Sequence, residues 1–357
     1  MDIEKKIEIV KRKPIVETIT DSDLLHLFQT NPHPTHYIGF EISGYVHLGS
    51  GLITALKIKD FLEVGIKPLI WLADYHTWIN RKLGGDLKKI QEIARGYFKS
   101  AFNSLGLSDD KVEYQLASEN YDSDYWKLVL DISNKTTLDR MTRCLTIMGR
   151  TSKEKLFSSS LIYPAMQVAD IFKLDVDIAH AGLDQRKAHI LAREIGEKFK
   201  RKPFAILHHS LLSGLLGPKR MGFEEDEKAD IQISSKMSKS NPSSCIYLHD
   251  SPEQIKNKIN AAYCPPKEIE ANPIIDICNL IILRTEKDSL TIQRPSKYGG
   301  EVTYTSAEEL ILDYKKGRLH PADLKEAVSE YLIKALAPSR EYFEKNKHLL
   351  KFHNINL

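Results

Sequence analysis

YPAMQVADIFKLDVDIAHAGLDQRK, residues 163–187, carries the pattern that sets the fold. Its first half reads as a helix in which Tyr163, Gln167 and Asp170 stand at i, i+4 and i+7 and share one face. A phenol, an amide and a carboxylate are poor core material, because each needs a partner once buried. They suit a pocket for a small polar ligand, or else an ordinary solvated face. Residues 176–179 then read as a short strand, and Gly182 opens a turn through Asp184 and Gln185 into another helix. Such a turn puts Asp184 and Gln185 at the carboxyl end of a strand, where open α/β sheets hold their ligands.

Working outward, residues 36–42 (HYIGFEI) form a strand, SGYVHLGS at 43–50 a turn, and residues 52–64 a helix closed by Gly65. The turn offers small residues and helix N-terminal amides to an anion. Its glycines do not match GxGxxG, so no dinucleotide fingerprint is present, yet Gly39 and Gly49 let a flat base and a phosphate approach the backbone. His47 alone reads equally well as a turn residue bonded to the backbone. Further strands at 67–74, 112–117 and 203–208 alternate with helices at 86–105, 122–150 and 185–198, which predicts a doubly wound α/β sheet. Residues 1–30 read as two short polar helices, and residues 214–235 as a loop whose acidic run at 224–227 is a solvated surface. After this loop come Lys236, Met237, Ser238, Lys239 and Ser240. Two ammonium groups and two hydroxyls there suit either a triphosphate or a solvated turn.

Composition bounds these readings. The chain has 357 residues, which implies two domains or one with an appendage. A net charge of +3, from 51 Lys+Arg against 48 Asp+Glu, excludes a global basic field, so any nucleic-acid surface must be local. No apolar run reaches membrane-span length, and the N-terminus is charged rather than signal-like. The cysteines, Cys144, Cys245, Cys264 and Cys278, lack metal-ligand spacing and fit reduced thiols in a cytoplasm.

HLGS at 47–50, GLDQRK at 182–187 and KMSKS at 236–240, in that order, resemble the class I aminoacyl-tRNA synthetases, HLGS standing for their HIGH motif. YIGFEISG at 37–44, LADYHTWIN at 72–80, YPAMQVAD at 163–170 and DQRKAH at 184–189 resemble the tyrosyl-tRNA synthetases of the archaeal and eukaryotic branch. The resemblance implies a Rossmann-like catalytic domain with a doubly wound parallel sheet over 1–216, carrying a helical insertion at about 120–160. A KMSKS loop and linker over 217–245 would follow, then a mainly helical anticodon-binding domain over 246–357. It also implies a cytoplasmic homodimer that joins L-tyrosine to tRNA(Tyr) through tyrosyl-adenylate, with ATP and Mg2+ as substrate and no resident metal or organic cofactor. Tyr37 and Asp170 would bond the substrate phenol, while Tyr163, Gln167 and Gln185 would hold its amino and carboxylate groups. Gly39, Gly49, Gly182 and Asp184 would hold adenosine. Ser43, His47, Ser50, Lys236, Met237, Ser238 and Lys239 would surround the phosphates, with His47, Lys236 and Lys239 catalytic. Ser50 departs from the family motif, which usually has a second histidine there. Arg143 and Arg186 would meet the acceptor end of tRNA, and Tyr298, His320 and Asp323 its anticodon, although the last three also read as a surface turn and a helix cap. Two rivals stand beside this reading. One is a tryptophanyl-tRNA synthetase, against which Tyr37, Asp170 and the DQRK turn argue. The other is an RNA-binding relative without activation chemistry, against which the intact KMSKS argues.

Overall fold

Six strands form one sheet in the order β1–β6–β5–β2–β3–β4 in the computed structural model, which describes residues 1–150, 156–224, 226–239 and 241–354. They are β1 Ile15–Ile19, β2 Thr35–Phe40, β3 Lys67–Leu72, β4 Glu113–Leu116, β5 Ile178–Gly182 and β6 Ala205–His209. All neighbours run parallel except β1, which pairs antiparallel with β6. From β2 the chain winds one way through β3 and β4, and from β5 the other way to β6. The winding therefore reverses between β2 and β5, whose register pairs Tyr37 with Ala179. Open sheets of this kind hold their ligands at such a switch point, beyond the carboxyl ends of the strands.

The strand period of two divides each side chain between faces. On β2, Tyr37 joins an apolar cluster with Trp71, Tyr125, Val168 and Ile206, while Ile38 joins one with Phe98, Phe102 and Leu116 on the other face. Helix Tyr163–Leu174 covers the first face and carries Pro164 in its first turn, where a missing N–H costs nothing.

Three expectations need correction. The first thirty residues do form two helices, Ile3–Lys11 and Asp21–Thr30, but strand β1 lies between them. The strand expected at 176–179 runs Ile178–Gly182, and so reaches the turn directly. The loop expected at 214–235 contains helix Glu227–Ser234, capped by the Asp226 carboxylate accepting from Ala229 N–H at 2.8 Å. Its acidic run is accordingly structural, with Glu224 pairing Lys187 at 2.8 Å; Glu225 lies outside the described residues, as do residues 151–155 of the expected insertion. The mainly helical C-terminal part also carries a hairpin, β7 Leu290–Ile292 and β8 Val302–Tyr304, and a last helix Ala337–Lys345.

The two ends of the chain meet the catalytic half through shared packing. The cluster that holds Ile38 extends through Ile277, Tyr314 and Leu332 to Phe343. The Tyr45 hydroxyl donates to Leu350 O, and its ring lies 4.9 Å from that of Phe352. Buried Asp60 accepts from Arg12 at 3.1 Å and Lys57 at 3.0 Å, and pairs with Arg284, so one carboxylate gathers cations from three parts of the chain.

Candidate active site

At one end of the site, Asp170 is buried on helix Tyr163–Leu174 and accepts three hydrogen bonds. Tyr121 and Tyr125 each donate to Oδ1 at 2.9 Å, and the Trp71 indole N–H donates to Oδ2 at 3.1 Å. Tyr121 and Tyr125 stack with ring centroids 3.8 Å apart, which fixes both hydroxyls. Burial pushes the Asp170 carboxyl up to about 8, and the three donors oppose that rise. The Tyr37 phenol shares this pocket: burial first, and the Asp170 charge second, push its ionisation well above the usual value, so it stays a donor. Gly39 is needed beside it, because a Cβ there would stand 2.6 Å from the Tyr37 hydroxyl.

Two turns away along the helix, Tyr163 donates to Glu41 Oε1 at 2.8 Å, and Asn80 donates to the same oxygen at 2.8 Å. Gln167 Nε2 donates to Gln185 Oε1 at 3.3 Å, and Gln185 Nε2 donates to Ile147 O at 3.1 Å. These bonds leave acceptor capacity on the Gln167 carbonyl oxygen and the Tyr163 hydroxyl oxygen.

At the other end, His47 caps the turn Leu48–Leu52: its Nδ1 accepts from Gly49 N–H at 3.1 Å. Burial, followed by the Lys239 and Lys236 charges, pulls the imidazole down to about 3, so it is neutral. With Nδ1 accepting, the ring proton sits on Nε2. Ser50 accepts from His47 N–H at 3.4 Å and so serves the same cap. Lys239 runs across Gly44, where a Cβ would stand 3.2 Å from Lys239 Cδ. Desolvation brings the Lys239 ammonium down to about 8, although Glu41 opposes it. Lys236 is turned the other way and pairs with Asp184 at 2.5 Å. Burial acts to raise the Asp184 carboxyl, but Lys236, His209 and Gln185 together outweigh it and leave it below the usual carboxylate range. Met237 is buried and anchors the loop through its N–H to Leu212 O at 2.6 Å. Ser238 O accepts from Ser244 at 2.8 Å, and Ser43 is partly buried in the loop after β2. Ser240 lies outside the described residues.

The residues expected at the tRNA ends lie elsewhere on the surface. Arg143 is exposed. Arg186 is exposed too, but Glu17 on β1 holds its Nε at 2.8 and 2.9 Å. Tyr298 is 62% exposed with Lys297 Nζ 4.8 Å above its ring. His320 caps helix Pro321–Ala335 by accepting from Ala322 N–H at 3.2 Å, and Asp323 stands in its first turn. Sequence reasoning missed Glu41, Trp71, Asn80, Tyr121 and Tyr125. Glu41, Trp71 and Asn80 lie within or beside motifs already recognised, and only the fold could show which side chains they touch.

A family profile described as "tRNA synthetases class I (W and Y)" matches residues 29–337. The tyrosine–tRNA ligase of Thermococcus sibiricus is 51% identical over 367 residues, 98% of each chain. Tyrosine–tRNA ligase 1 of Pyrobaculum aerophilum is 41% identical over 96% of this chain and 95% of its own. The crystal structure of a tyrosyl-tRNA synthetase complexed with L-tyrosine from Pyrococcus horikoshii superposes with a TM-score of 0.92 at 48% identity, covering 99% of both chains.

Proposed function

This chain belongs to the class I tRNA synthetases of the tryptophan and tyrosine type, and from that premise we propose how its crevice does the work of a tyrosine–tRNA ligase. The enzyme activates L-tyrosine with ATP to tyrosyl-adenylate and pyrophosphate, then transfers tyrosine to the 3′ end of tRNA(Tyr). Asp170 carries the reading. An ionised carboxylate offers about four acceptor sites, and three are taken, two on Oδ1 and one on Oδ2. The free site on Oδ2 accepts the substrate phenol, and Tyr37 donates to that phenol's oxygen. Phenylalanine would leave both groups desolvated and unpaired, so it is rejected. The substrate ammonium donates to Tyr163 and Gln167, and Gln185 orients the carboxylate.

ATP lies across Gly39, Gly49 and Gly182 with its ribose hydroxyls on Asp184. His47 Nε2–H, Ser43, Ser50 and the lysines meet the phosphates. As the tyrosine carboxylate attacks the α-phosphorus, negative charge moves onto the leaving pyrophosphate, and Lys236 and Lys239 stabilise it. Lys236 must leave Asp184 to do so, which links ribose binding to movement of the loop. Magnesium enters with ATP and supplies further charge neutralisation, held by phosphate oxygens and water. Among the described residues no group of three or more His, Cys, Asp or Glu side chains stands ready for a metal of its own.

Arg143 and Arg186 face the acceptor end of tRNA, and residues 246–357 read its anticodon through Tyr298, His320 and Asp323, in a cytoplasmic homodimer. Exposed Tyr298 supports this, because an unstacked base needs an open ring. No helix among the described residues is long and apolar enough to cross a membrane. The decisive experiment is ATP–pyrophosphate exchange with each of the twenty amino acids. Exchange with tyrosine alone is expected, and exchange with tryptophan but not tyrosine would overturn the pocket assignment.

A further inference from the structure

Three buried histidines cross the sheet from strand to strand and end at the nucleotide site. His36 on β2, His180 on β5 and His209 on β6 are joined by two hydrogen bonds: His36 Nε2 to His180 Nδ1 at 3.1 Å, and His180 Nε2 to His209 Nδ1 at 2.8 Å. Burial lowers the pKa of each, so all three are neutral and each ring has one proton. A bond between neutral rings needs one N–H and one bare nitrogen. The middle ring has a single proton, so only two arrangements satisfy both bonds: every proton on Nε2, or every proton on Nδ1.

The two ends of the chain choose between them. His36 Nδ1 is buried without a hydrogen-bond partner. With protons on Nδ1, that orphan would be a buried donor, and His209 would turn a bare lone pair toward the Asp184 side of the crevice. With protons on Nε2, the orphan is a bare acceptor, the less costly case, and His209 presents Nε2–H. His209 Nε2 lies 3.4 Å, and Asp184 Oδ1 2.7 Å, from the point where a Cβ on Gly182 would stand. Leu211 Cδ2 also lies 2.8 Å from that point, so only a bare glycine lets these groups close in, and it leaves a donor and an acceptor side by side at the end of β5. A sugar hydroxyl requires that combination, since it both donates and accepts.

We infer that His209 is a ribose-binding residue whose Nε2–H pairs with the Asp184 carboxylate around one ATP hydroxyl, and that His180 and His36 are positioning residues that fix its tautomer. This rests on the reading of Asp184 as the ribose acceptor. His209 also remains as a donor to that hydroxyl once Lys236 has left Asp184 for the phosphates.

The test is pyrophosphate exchange with ATP, 2′-deoxy-ATP and 3′-deoxy-ATP, together with 15N NMR of the histidine-labelled full-length chain and a melting curve for each variant. His209→Ala should raise the KM for ATP roughly three- to tenfold, the worth of one hydrogen bond. It should shrink the preference for ATP over one deoxy analogue by the same factor and leave the KM for tyrosine unchanged. His209→Gln, which keeps an amide donor near the Nε2 position, should restore most of that preference. The NMR spectrum should show the proton of His209 on Nε2 in the native protein and a mixture of tautomers in His180→Val. An Nδ1 proton on native His209 would overturn the inference whatever the variants do. If Asp184→Ala weakens ATP binding while His209→Ala leaves nucleotide preference intact, the Asp184 reading stands and the His209 assignment falls. If Asp184→Ala is itself silent, both fall.

Discussion

Asp170 and Lys239 sit at opposite ends of one crevice, and both are brought to about 8 by loss of water, from opposite directions. Tyrosine binding needs the Asp170 carboxylate as acceptor, so kcat/KM for tyrosine should rise as pH passes upward through about 8. Phosphate binding needs the Lys239 ammonium, so kcat/KM for ATP should fall through the same region. Steady-state pyrophosphate exchange at fixed saturating co-substrate separates the two limbs. Tyr125→Phe removes one donor from Asp170 and should move the tyrosine limb to higher pH, without moving the ATP limb. How much of this was legible in advance follows from geometry. Tyr163, Gln167 and Asp170 were found because one helix spaces them on one face. Trp71 reads as core in an apolar strand, and its N–H matters only because β3 lies beside β2 with Trp71 opposite Gly39. Tyr121 and Tyr125 come from a separate helical region, so nothing in their own spacing points at Asp170.

Among the elements, the segment 236–239 and the turn at Tyr298 lend themselves to direct trial. If Lys239 stabilises the leaving pyrophosphate, Lys239→Ala should slow adenylation about 10²- to 10³-fold, with little change in tyrosine affinity. Stopped-flow measurement of adenylate formation, beside equilibrium binding of tyrosine, distinguishes this from a loop that merely caps the fold. Transfer from pre-formed adenylate should be spared. At the other end of the molecule, Tyr298→Ala should weaken tRNA charging about ten- to hundredfold, from a stacking contribution of roughly 1–3 kcal/mol. It should leave pyrophosphate exchange unchanged, and equal loss of both activities would show that the turn only supports the fold. Strand β1 shows why some elements escaped the sequence reading. Ile15, Glu17 and Ile19 share one face, which the glutamate makes polar at its centre, and five residues between two polar helices are too few for a period to stand out. The Glu227–Ser234 helix was hidden because its start is nearly all charge, and each strand of the hairpin has only three residues.

For the molecule as a whole, Asp60 is the most exacting single carboxylate, since it neutralises Arg12, Lys57 and Arg284 together. Asp60→Ala would leave buried cations without a counter-charge, and should cost about 3–5 kcal/mol in chemical denaturation. A conservative Asn variant should recover part of that, and no loss in either would mean water replaces the carboxylate. The doubly wound sheet was legible because its strands alternate with long helices, whereas the union of early and late residues in one interior was not. That union has a consequence during synthesis. Tyr45 and its partner Leu350 are separated by 305 residues, and a ribosome adds about 5–20 residues per second, so roughly 15–60 s pass between the two. Throughout that interval the aromatic surface around Tyr45 and Tyr97 stays unfinished: Tyr247 and His249 cover part of it, and Phe343 and Phe352 complete the cover. A chain stalled or cut shortly before its end should thus be a natural client for chaperones, although every residue assigned to the catalytic crevice has already been made.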